Sequence, residues 1–273
     1  VYTSMRDGHY NIYSAKIARE DDPNFSNATL IDEQPIIAAD KTERTLPQFS
    51  PDGKKLAFIQ DRNKLMVMDT KSKKVKQLTD GSTYSYRDGG FDFKWSPDSR
   101  WIALEVDDNH HSPYTDIAII NVESGELTHL TRSGYTDHSP QWAMGGNAIV
   151  FLSEKYGMRN HASWGSQDDA MIVFLNRDAY DKYNLNEEDL ELRKEADKKA
   201  KKDKKKDDAA KKDDKKSKKD ADKKDADSDD EESVEAIVVE LDGIEDRVER
   251  LTPFSADLAG AWVDNDGENL YYL

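Results

Sequence analysis

One pattern recurs along the chain and limits the possible folds more than any other feature. A polar turn follows an aromatic residue, and a short apolar run begins a few residues later. The first three aromatic residues of the pattern are spaced 46 and 47 residues apart, and the full set is Phe49, Trp95, Trp142 and Trp262. The last spacing is longer because an insertion separates the third and fourth copies. A fixed period of this length predicts a repeat architecture.

The turn within each copy has a sequence typical of a β-hairpin connection. In Ser50-Pro51-Asp52-Gly53 the serine can accept a hydrogen bond, the proline fixes φ, and the glycine relieves the last position. The second copy reads Ser96-Pro97-Asp98-Ser99. Apolar segments stand on both sides of each turn, so the sequence predicts two antiparallel strands per copy at this point.

Two further strands complete each copy. A third apolar run follows the hairpin, at Leu65–Met68 and Ile117–Ile120, and a fourth segment ends in Leu-Thr, at Leu78-Thr79, Leu130-Thr131 and Leu251-Thr252. The third runs are apolar throughout, as expected for a strand covered on both faces. Four strands per copy predict an all-β fold, a β-propeller of four-stranded blades. A β-sandwich has turns at a similar density, but it would not repeat one pentapeptide in register.

The repeats set the expected domain boundaries. Residues 1–185 should hold the blades, with a partial first blade and repeats starting near 46, 91 and 138, and residues 234–273 should complete the interrupted blade and start the next. Val1–Ser4 matches a second strand and Asn11–Ser14 a third. We therefore expect a section of a larger ring, whose unpaired blade edge would favour self-association, including a homo-oligomer.

Residues 186–233 are predicted to be an insertion that begins as a helix and continues as a disordered tract. Asn186 is a suitable N-cap, and the acidic residues 187–189 suit a first helical turn. Residues 194–233 contain 16 Lys, 15 Asp or Glu, 6 Ala and 3 Ser. Such a composition cannot bury enough apolar area to offset the entropy of ordering. A tether or partner-binding arm and a solvated loop on the rim are both compatible with it.

The insertion leaves the third strand of its blade open. Met171–Leu175 has the composition of a third strand, but Ile237–Leu241 aligns better with the run that starts at Ile117. The strand is either split by the insertion or supplemented by an added hairpin. The residues do not choose between these two arrangements.

Composition excludes several classes of function. The chain has no cysteine, so disulfides, thiolate metal sites and cysteine nucleophiles are absent. The net charge of −16 argues against nucleic acid as the main partner, which requires a basic face. No apolar run reaches the length of a membrane-spanning helix.

The sequence contains no recognisable catalytic motif. The segment nearest to the Gly-x-Ser-x-Gly motif is His161-Ala162-Ser163-Trp164-Gly165, which lacks the first glycine, and we expect it to be a structured loop. Residues 107–111, Asp-Asp-Asn-His-His, with Asp116 could in principle bind a metal, but adjacent histidines in an extended segment point to opposite sides. Phe49, Trp95, Trp142 and Trp262 are expected to pack between blades. We therefore predict no catalytic, cofactor-binding or metal-binding residues.

Three stretches resemble a known family. The repeats themselves are similar to TolB-type propeller repeats, which are widespread. Tyr156–Ser166, Ala179–Tyr183 and Leu241–Arg247 resemble segments of bacterial tricorn-type serine proteases more specifically. The resemblance covers nearly all of the chain outside the charged tract.

The resemblance implies a large hydrolase of which this chain is the propeller region. In that family, propellers guide peptide or unfolded polypeptide substrates to PDZ-like and catalytic domains that follow them, and the catalytic Ser and His lie in that later part. By analogy, the expected location is the bacterial periplasm. Two alternatives remain: a TolB-like propeller that binds a protein partner without catalysis, and the propeller of a prolyl-oligopeptidase-type enzyme followed by an α/β-hydrolase domain.

Overall fold

The structure is a computed structural model that describes residues 1–6, 8–37, 40–83, 91–107, 114–159, 165–196, 198–199 and 236–273. The chain forms two compact units, Val1–Asn176 with Glu235–Leu273, and Arg177–Val234. The first unit is built of antiparallel sheets in which the strands lie side by side in chain order. This meander in four-stranded sheets, repeated along the chain, is an all-β propeller fold, as the sequence predicted.

Three sheets have four strands, and two are partial. Blade 1 contains β1 (Tyr2–Ser4), β2 (Asn11–Ile17) and β3 (Ile31–Pro35). Blades 2 and 3 contain β4 (Arg44–Phe49), β5 (Lys55–Gln60), β6 (Lys64–Asp69), β7 (Val75–Gln77), β8 (Phe93–Trp95), β9 (Trp101–Val106), β10 (Asp116–Asn121) and β11 (Leu127–His129). Blades 4 and 5 contain β12 (Asp137–Ala143), β13 (Ala148–Ser153), β14 (Asp169–Phe174), β15 (Val248–Arg250), β16 (Ala261–Val263) and β17 (Leu270–Tyr272). Short 3-10 turns lie at Phe25–Asn27, Met144–Gly146 and Ile244–Arg247.

The repeated Ser-Pro-Asp turn closes each hairpin with the same set of hydrogen bonds. The Ser50 hydroxyl donates to Asp52 Oδ1 at 2.6 Å and accepts from the Lys55 amide at 3.0 Å. Ser96, Asp98 and Trp101 repeat these contacts at 2.6 and 2.9 Å. The side chains thus satisfy backbone groups that the tight turn would leave unpaired.

The repeated Leu-Thr pair anchors the fourth strand to the third. The Thr79 hydroxyl accepts from the Leu65 amide at 2.9 Å, and the Leu78 amide donates to the Leu65 carbonyl at 2.8 Å. The equivalent hydroxyl contacts in the next two blades are Thr131 with Ile117 and Thr252 with Ala170. Each threonine therefore satisfies a buried N–H beside the start of a third strand.

The third strands divide their apolar side chains between two interfaces. Ala118 and Ile120 lie in a buried cluster with strands of blade 2, whereas Ile117 and Ile119 lie in a cluster with strands of blade 4. Alternate residues of a strand point to opposite faces, so a continuous apolar run is required where both faces are covered. The prediction that these strands are sandwiched between blades is confirmed.

Neighbouring blades contact one another mainly through their first strands. β12 contacts β8, β9 and β10, β16 contacts β12 and β13, and β4 contacts β1 and β2. Two tryptophans tie these strands together: Trp95 Nε1 donates to the Gln48 carbonyl at 3.1 Å, and Trp142 Nε1 donates to the Lys94 carbonyl at 2.9 Å. Each indole therefore bonds the first strand of the preceding blade.

The other two repeat aromatics do not pack as predicted. Phe49 is 46% exposed and Trp262 is 41% exposed. Blade 1, which precedes Phe49, has three strands, whereas blades 2 to 4 have four. The Trp262 ring instead lies against Gly260, where an added Cβ would come within 2.6 Å of the ring.

The third strand of blade 4 is continuous. Asp169–Phe174 pairs with β13 along its whole length and with β15 on its other side. Residues 236–240 form no strand; Ile237 packs against the core between blades 3 and 4, and its amide donates to Asp98 Oδ2 at 2.9 Å. Neither arrangement left open by the sequence is present, because the insertion enters and leaves between the third and fourth strands.

Gly146 makes room for this returning segment. An added Cβ on Gly146 would lie 2.4 Å from Ile237 Cδ1, and its φ of 98° lies in the left-handed region. Both facts require glycine at this position.

The second unit begins with α1 (Arg177–Tyr183), and residues 187–196 are helical. Asn186 Oδ1 accepts from the Asp189 amide at 2.9 Å, which is the contact of an N-cap. Nearly all of the predicted charged tract, residues 194–233, lies outside the described residues. Among the helices that the structure does describe, none is long and apolar enough to cross a membrane.

Candidate functional site

The two faces of the blades differ in their connections. Strands alternate in direction, so one face carries the Ser-Pro-Asp turns and the returns from third to fourth strands, and the other face carries the second-to-third connections and the links between blades. We call the latter the loop face. Its second-to-third connections lengthen from residues 61–63 in blade 2 to 107–115 in blade 3 and 154–168 in blade 4. Variable loops on a rigid scaffold are a common location of binding sites.

A polar cluster lies on the loop face where blades 3 and 4 meet. His138, near the start of β12, contacts Asp168 Oδ1 through Nε2 and Ser139 Oγ through Nδ1, both at 3.1 Å. The Ser139 amide donates to Glu105 Oε1, at the end of β9, at 2.7 Å. The cluster therefore links the first strand of blade 4 to the second strand of blade 3.

Burial and mutual charge shift the protonation of this cluster. Burial raises the pKa of Glu105, although the Ser139 amide opposes this shift. Burial lowers the pKa of His138, but the hydrogen bond to Asp168 and the charges of Asp168, Glu105 and Glu154 outweigh it, so the net pKa is raised. His138 therefore holds its proton to higher pH than a histidine in water.

The contacts among these residues are those of a catalytic triad, in which Ser139 would be the nucleophile, His138 the base and Asp168 the acid that orients the base. Ser139 also has a positive φ of 56°. The repeat explains this backbone, because Leu46 in blade 2 has a φ of 53°, also precedes a proline and also lies at a bulge in the first strand of its blade. We therefore assign the cluster a role in joining blades and not in covalent catalysis.

The long connection of blade 4 is held by backbone contacts and by cations over aromatic rings. The Gln167 amide donates to the Met158 carbonyl at 3.1 Å, and an added Cβ on Gly157 would lie only 1.7 Å from the Gln167 carbonyl oxygen. Lys155 Nζ lies 5.2 Å from the centre of the Tyr156 ring. Tyr156 is 50% exposed and Met158 is 75% exposed, so this loop presents apolar surface beside positive charge.

Leu241–Arg247, the third stretch that resembles the tricorn-type proteases, contains an arginine with a structural role. Arg247 is buried, and its guanidinium donates to the backbone carbonyls of Phe174, Asp242 and Gly243 at 3.0–3.2 Å, and also to that of Glu240. The arginine thereby fixes the chain where it returns from the insertion to β15. Ala179–Tyr183 lies within α1 at the start of the second unit.

Several residues considered from the sequence cannot be placed. His161, Ser163 and Trp164 lie outside the described residues, as do Asp108, Asn109, His110 and His111. Asp116, considered with them as a metal ligand, accepts from the Thr131 hydroxyl at 3.4 Å and the Ser133 amide at 3.3 Å. Within the part of the chain that the structure describes, no group of three or more His, Asp or Glu side chains is arranged to bind a metal.

Sequence reasoning did not identify the polar cluster. His138 was noticeable only as one of six histidines, and Asp168 and Glu105 lie in different strands or connections, 30 and 33 residues away in the chain. Only the Ser139-Pro140 pair, which aligns with Leu46-Pro47, marks a repeated bulge that brings these groups together.

The repeated four-stranded meander defines a propeller fold. Comparisons with known proteins find similar solved structures at low sequence identity. No protein-family profile and no curated protein sequence matches the chain. A crystal structure of the tricorn protease aligns with a TM-score of 0.49 and 13% identity, over 81% of this chain and 18% of that chain. TolB from Acinetobacter baumannii aligns with a TM-score of 0.39 and 13% identity, over 56% of this chain and 41% of that chain.

An oligogalacturonate lyase from Vibrio parahaemolyticus aligns with a TM-score of 0.34 and 18% identity, over 46% of this chain and 35% of that chain. The chain thus spans less than half the length of each of these three proteins. Their names include a protease and a lyase, and a fold alone does not define an activity.

Proposed function

We propose that this chain is the propeller region of a tricorn-like serine peptidase and that it guides peptide substrates to a catalytic domain elsewhere in the same protein. One observation carries the proposal: all three stretches that resemble this family are attached to blade 4. Tyr156–Ser166 is part of its loop-face connection, Ala179–Tyr183 starts its insertion, and Leu241–Arg247 ends it. These three stretches are more specific to the family than the widespread repeat, which the rest of the resemblance rests on.

The loop face supplies groups suited to extended polypeptides. The exposed side chains of Tyr156 and Met158 offer apolar contact to such a chain. Within this proposal the chain binds and orients substrates, the nucleophile and its base belong to the later domain, and the protein works in the bacterial periplasm.

The test compares the natural full-length protein with a version that lacks residues 1–273. We expect both proteins to cleave a short fluorogenic peptide, and we expect only the full-length protein to discriminate between long peptides. The isolated chain should bind long peptides without cleaving them. A reading frame that stops once the propeller ring is complete would refute the proposal in favour of a TolB-like binding module, and a following Gly-x-Ser-x-Gly domain would favour a prolyl-oligopeptidase-type enzyme.

A control variant tests whether the propeller itself catalyses peptide cleavage. If the isolated chain cleaves peptides and Ser139→Ala abolishes the cleavage, the loop-face cluster is catalytic and the guiding role is wrong. Ser163→Ala tests the sequence-derived candidate in the same way.

A further inference from the structure

Residues of blades 3 and 4 line a partly open cavity of about 170 Å³. Four apolar side chains form one side of it: Leu130, Phe151, Met171 and Val248. Cavities of about 150 Å³ with apolar walls are large enough to hold a benzene ring. The volume therefore fits one aromatic side chain.

The polar side of the cavity has its hydrogen bonds satisfied internally. Ser153 Oγ donates to Asp137 Oδ1 at 2.6 Å, and Ser133 Oγ donates to Asp137 Oδ2 at 3.0 Å. The Thr131 hydroxyl accepts from the Ile117 amide. Because these groups already have partners, an apolar ring can enter without leaving a buried polar group unpaired.

Two cations line the cavity, and a third belongs to the same connection as one of them. Arg132 and Lys155 line it, and Arg159 lies over the Tyr135 ring at 5.0 Å, in the same connection as Lys155. Within the described ranges, none of these three cations forms an ion pair with a carboxylate. Arg250, in contrast, is paired with the buried Asp169 at 2.7 Å.

The acidic side chains near the cavity do not form ion pairs with these cations. Glu245 lines the cavity but lies beyond ion-pair distance of Arg132 and Lys155. The charge of Glu154 acts on His138, and the Asp137 carboxylate is held by two serine hydroxyls. On a chain with a net charge of −16, Arg132 and Lys155 at this partly apolar cavity, with Arg159 in the same connection as Lys155, form a local exception that is complementary to a short anionic partner.

We propose that this cavity binds an aromatic side chain of an acidic peptide segment, and that carboxylates flanking the aromatic residue contact Arg132, Lys155 and Arg159. The aromatic ring supplies the buried anchor, and the charges select its sequence context. The exposed Tyr156 and Met158 cover the neighbouring part of the peptide. This inference goes beyond the proposed function, because it applies to the propeller with or without a catalytic domain.

The test uses three labelled peptides of equal length, measured by fluorescence anisotropy at low ionic strength. The first contains Phe flanked by Asp and Glu, the second replaces Phe with Ala, and the third replaces the acids with Lys. We expect the first to bind at least about tenfold more tightly than the other two, a difference of about 1.4 kcal/mol. Equal binding of all three peptides, or failure of the first to bind at millimolar concentration, would overturn the proposal.

Two variants locate the site. Lys155→Glu/Arg159→Glu should weaken binding of the first peptide about tenfold, whereas the control Lys71→Glu/Lys74→Glu, on the opposite face of blade 2, should leave it unchanged despite an equal change in net charge. Val248→Phe fills the cavity and should weaken binding of the Phe peptide, with Lys155 and Arg159 intact. A variant counts as folded if its midpoint of thermal unfolding lies near that of the wild-type protein.

A single-stranded oligonucleotide serves as the competing anion. If it binds more tightly than the first peptide and loses affinity in Lys155→Glu/Arg159→Glu, the surface is a nucleic-acid site and the peptide proposal is wrong. The result is independent of peptide cleavage by the full-length protein, so failure of one proposal does not imply failure of the other.

Discussion

The Leu-Thr repeat provides a sharp test of what holds the blades together. Thr79→Val keeps the shape of the side chain and removes the acceptor of the buried Leu65 N–H at 2.9 Å. Leaving a buried donor unpaired costs roughly 1–3 kcal/mol, and the added methyl group returns part of this by its burial. We therefore expect Thr79→Val to lower the free energy of unfolding by about 1–2 kcal/mol.

Thr45→Val is the matched control, with an opposite expected sign. Thr45 is also a threonine of blade 2, but its buried hydroxyl has no hydrogen-bond partner in the described structure. Replacing it with a methyl group removes an unsatisfied polar atom, so the free energy of unfolding should stay the same or rise by up to about 1 kcal/mol. Both variants have equal volume and equal β-branching.

Urea denaturation followed by tryptophan fluorescence measures the difference, since Trp95 and Trp142 lie at blade interfaces. The two midpoints should move in opposite directions, or one should move while the other stays constant. If Thr79→Val is no more destabilising than Thr45→Val, the hydroxyl-to-amide contact does not stabilise the blade. Thr252→Val should be more destabilising than Thr79→Val, because Thr252 makes the equivalent contact with the Ala170 amide at 3.2 Å and also donates to the buried Asp169 carboxylate at 2.7 Å.

Four other predictions concern His138, two glycine positions and the charged tract. The pKa of His138 is raised above its ordinary 6.5 in the folded protein. The protonated His138 therefore stabilises the fold below about pH 6.5, and this stabilisation is lost as the pH rises through the pKa of the folded state. His138→Gln should flatten this decline in thermal unfolding measured from about pH 5 to 9. Gly157→Ala should cost about 2 kcal/mol in urea denaturation, because its Cβ would overlap the Gln167 carbonyl; a cost near zero would show that the connection relaxes freely. Gly146→Ala should be about 1 kcal/mol more destabilising than Gly145→Ala in the same assay, since both have positive φ but only Gly146 meets Ile237. Deleting residues 194–233 should change the free energy of unfolding by no more than about 0.5 kcal/mol, and loss of folding would show that the tract is structural.

The sequence was sufficient for the fold because the repeat encodes local chemistry. The Ser-Pro-Asp turn, the continuous third strand and the Leu-Thr pair each specify contacts within a few tens of residues, and these contacts recur in the structure. The aromatic positions were only half predictable. Trp95 and Trp142 donate to a carbonyl on the preceding blade, whereas Phe49 and Trp262 remain 46% and 41% exposed. The sequence shows that Phe49 has no side-chain N–H to donate, but the exposure of Trp262 could not be read from its copy of the motif.

The site was not predictable for a different reason. His138, Asp168 and Glu105 come together only when two blades pack, and their spacing in the chain carries no recognisable motif. The cavity is likewise lined by residues of two blades, 3 and 4, and not by one blade alone. Properties that arise between repeats are not encoded within one repeat.

The indole contacts between blades give the propeller a direction. In blades 3 and 4 the tryptophan donates to the blade before it, and blades 2 and 3 supply the accepting carbonyls. A run of blades joined in this way has two chemically different ends: the leading end has no carbonyl to receive its donor, and the trailing end has no ring that donates to its carbonyl. Closure into a ring joins these unlike ends, so blades added by duplication fit only in head-to-tail order. A blade inserted in reverse orientation would place two donors or two acceptors together.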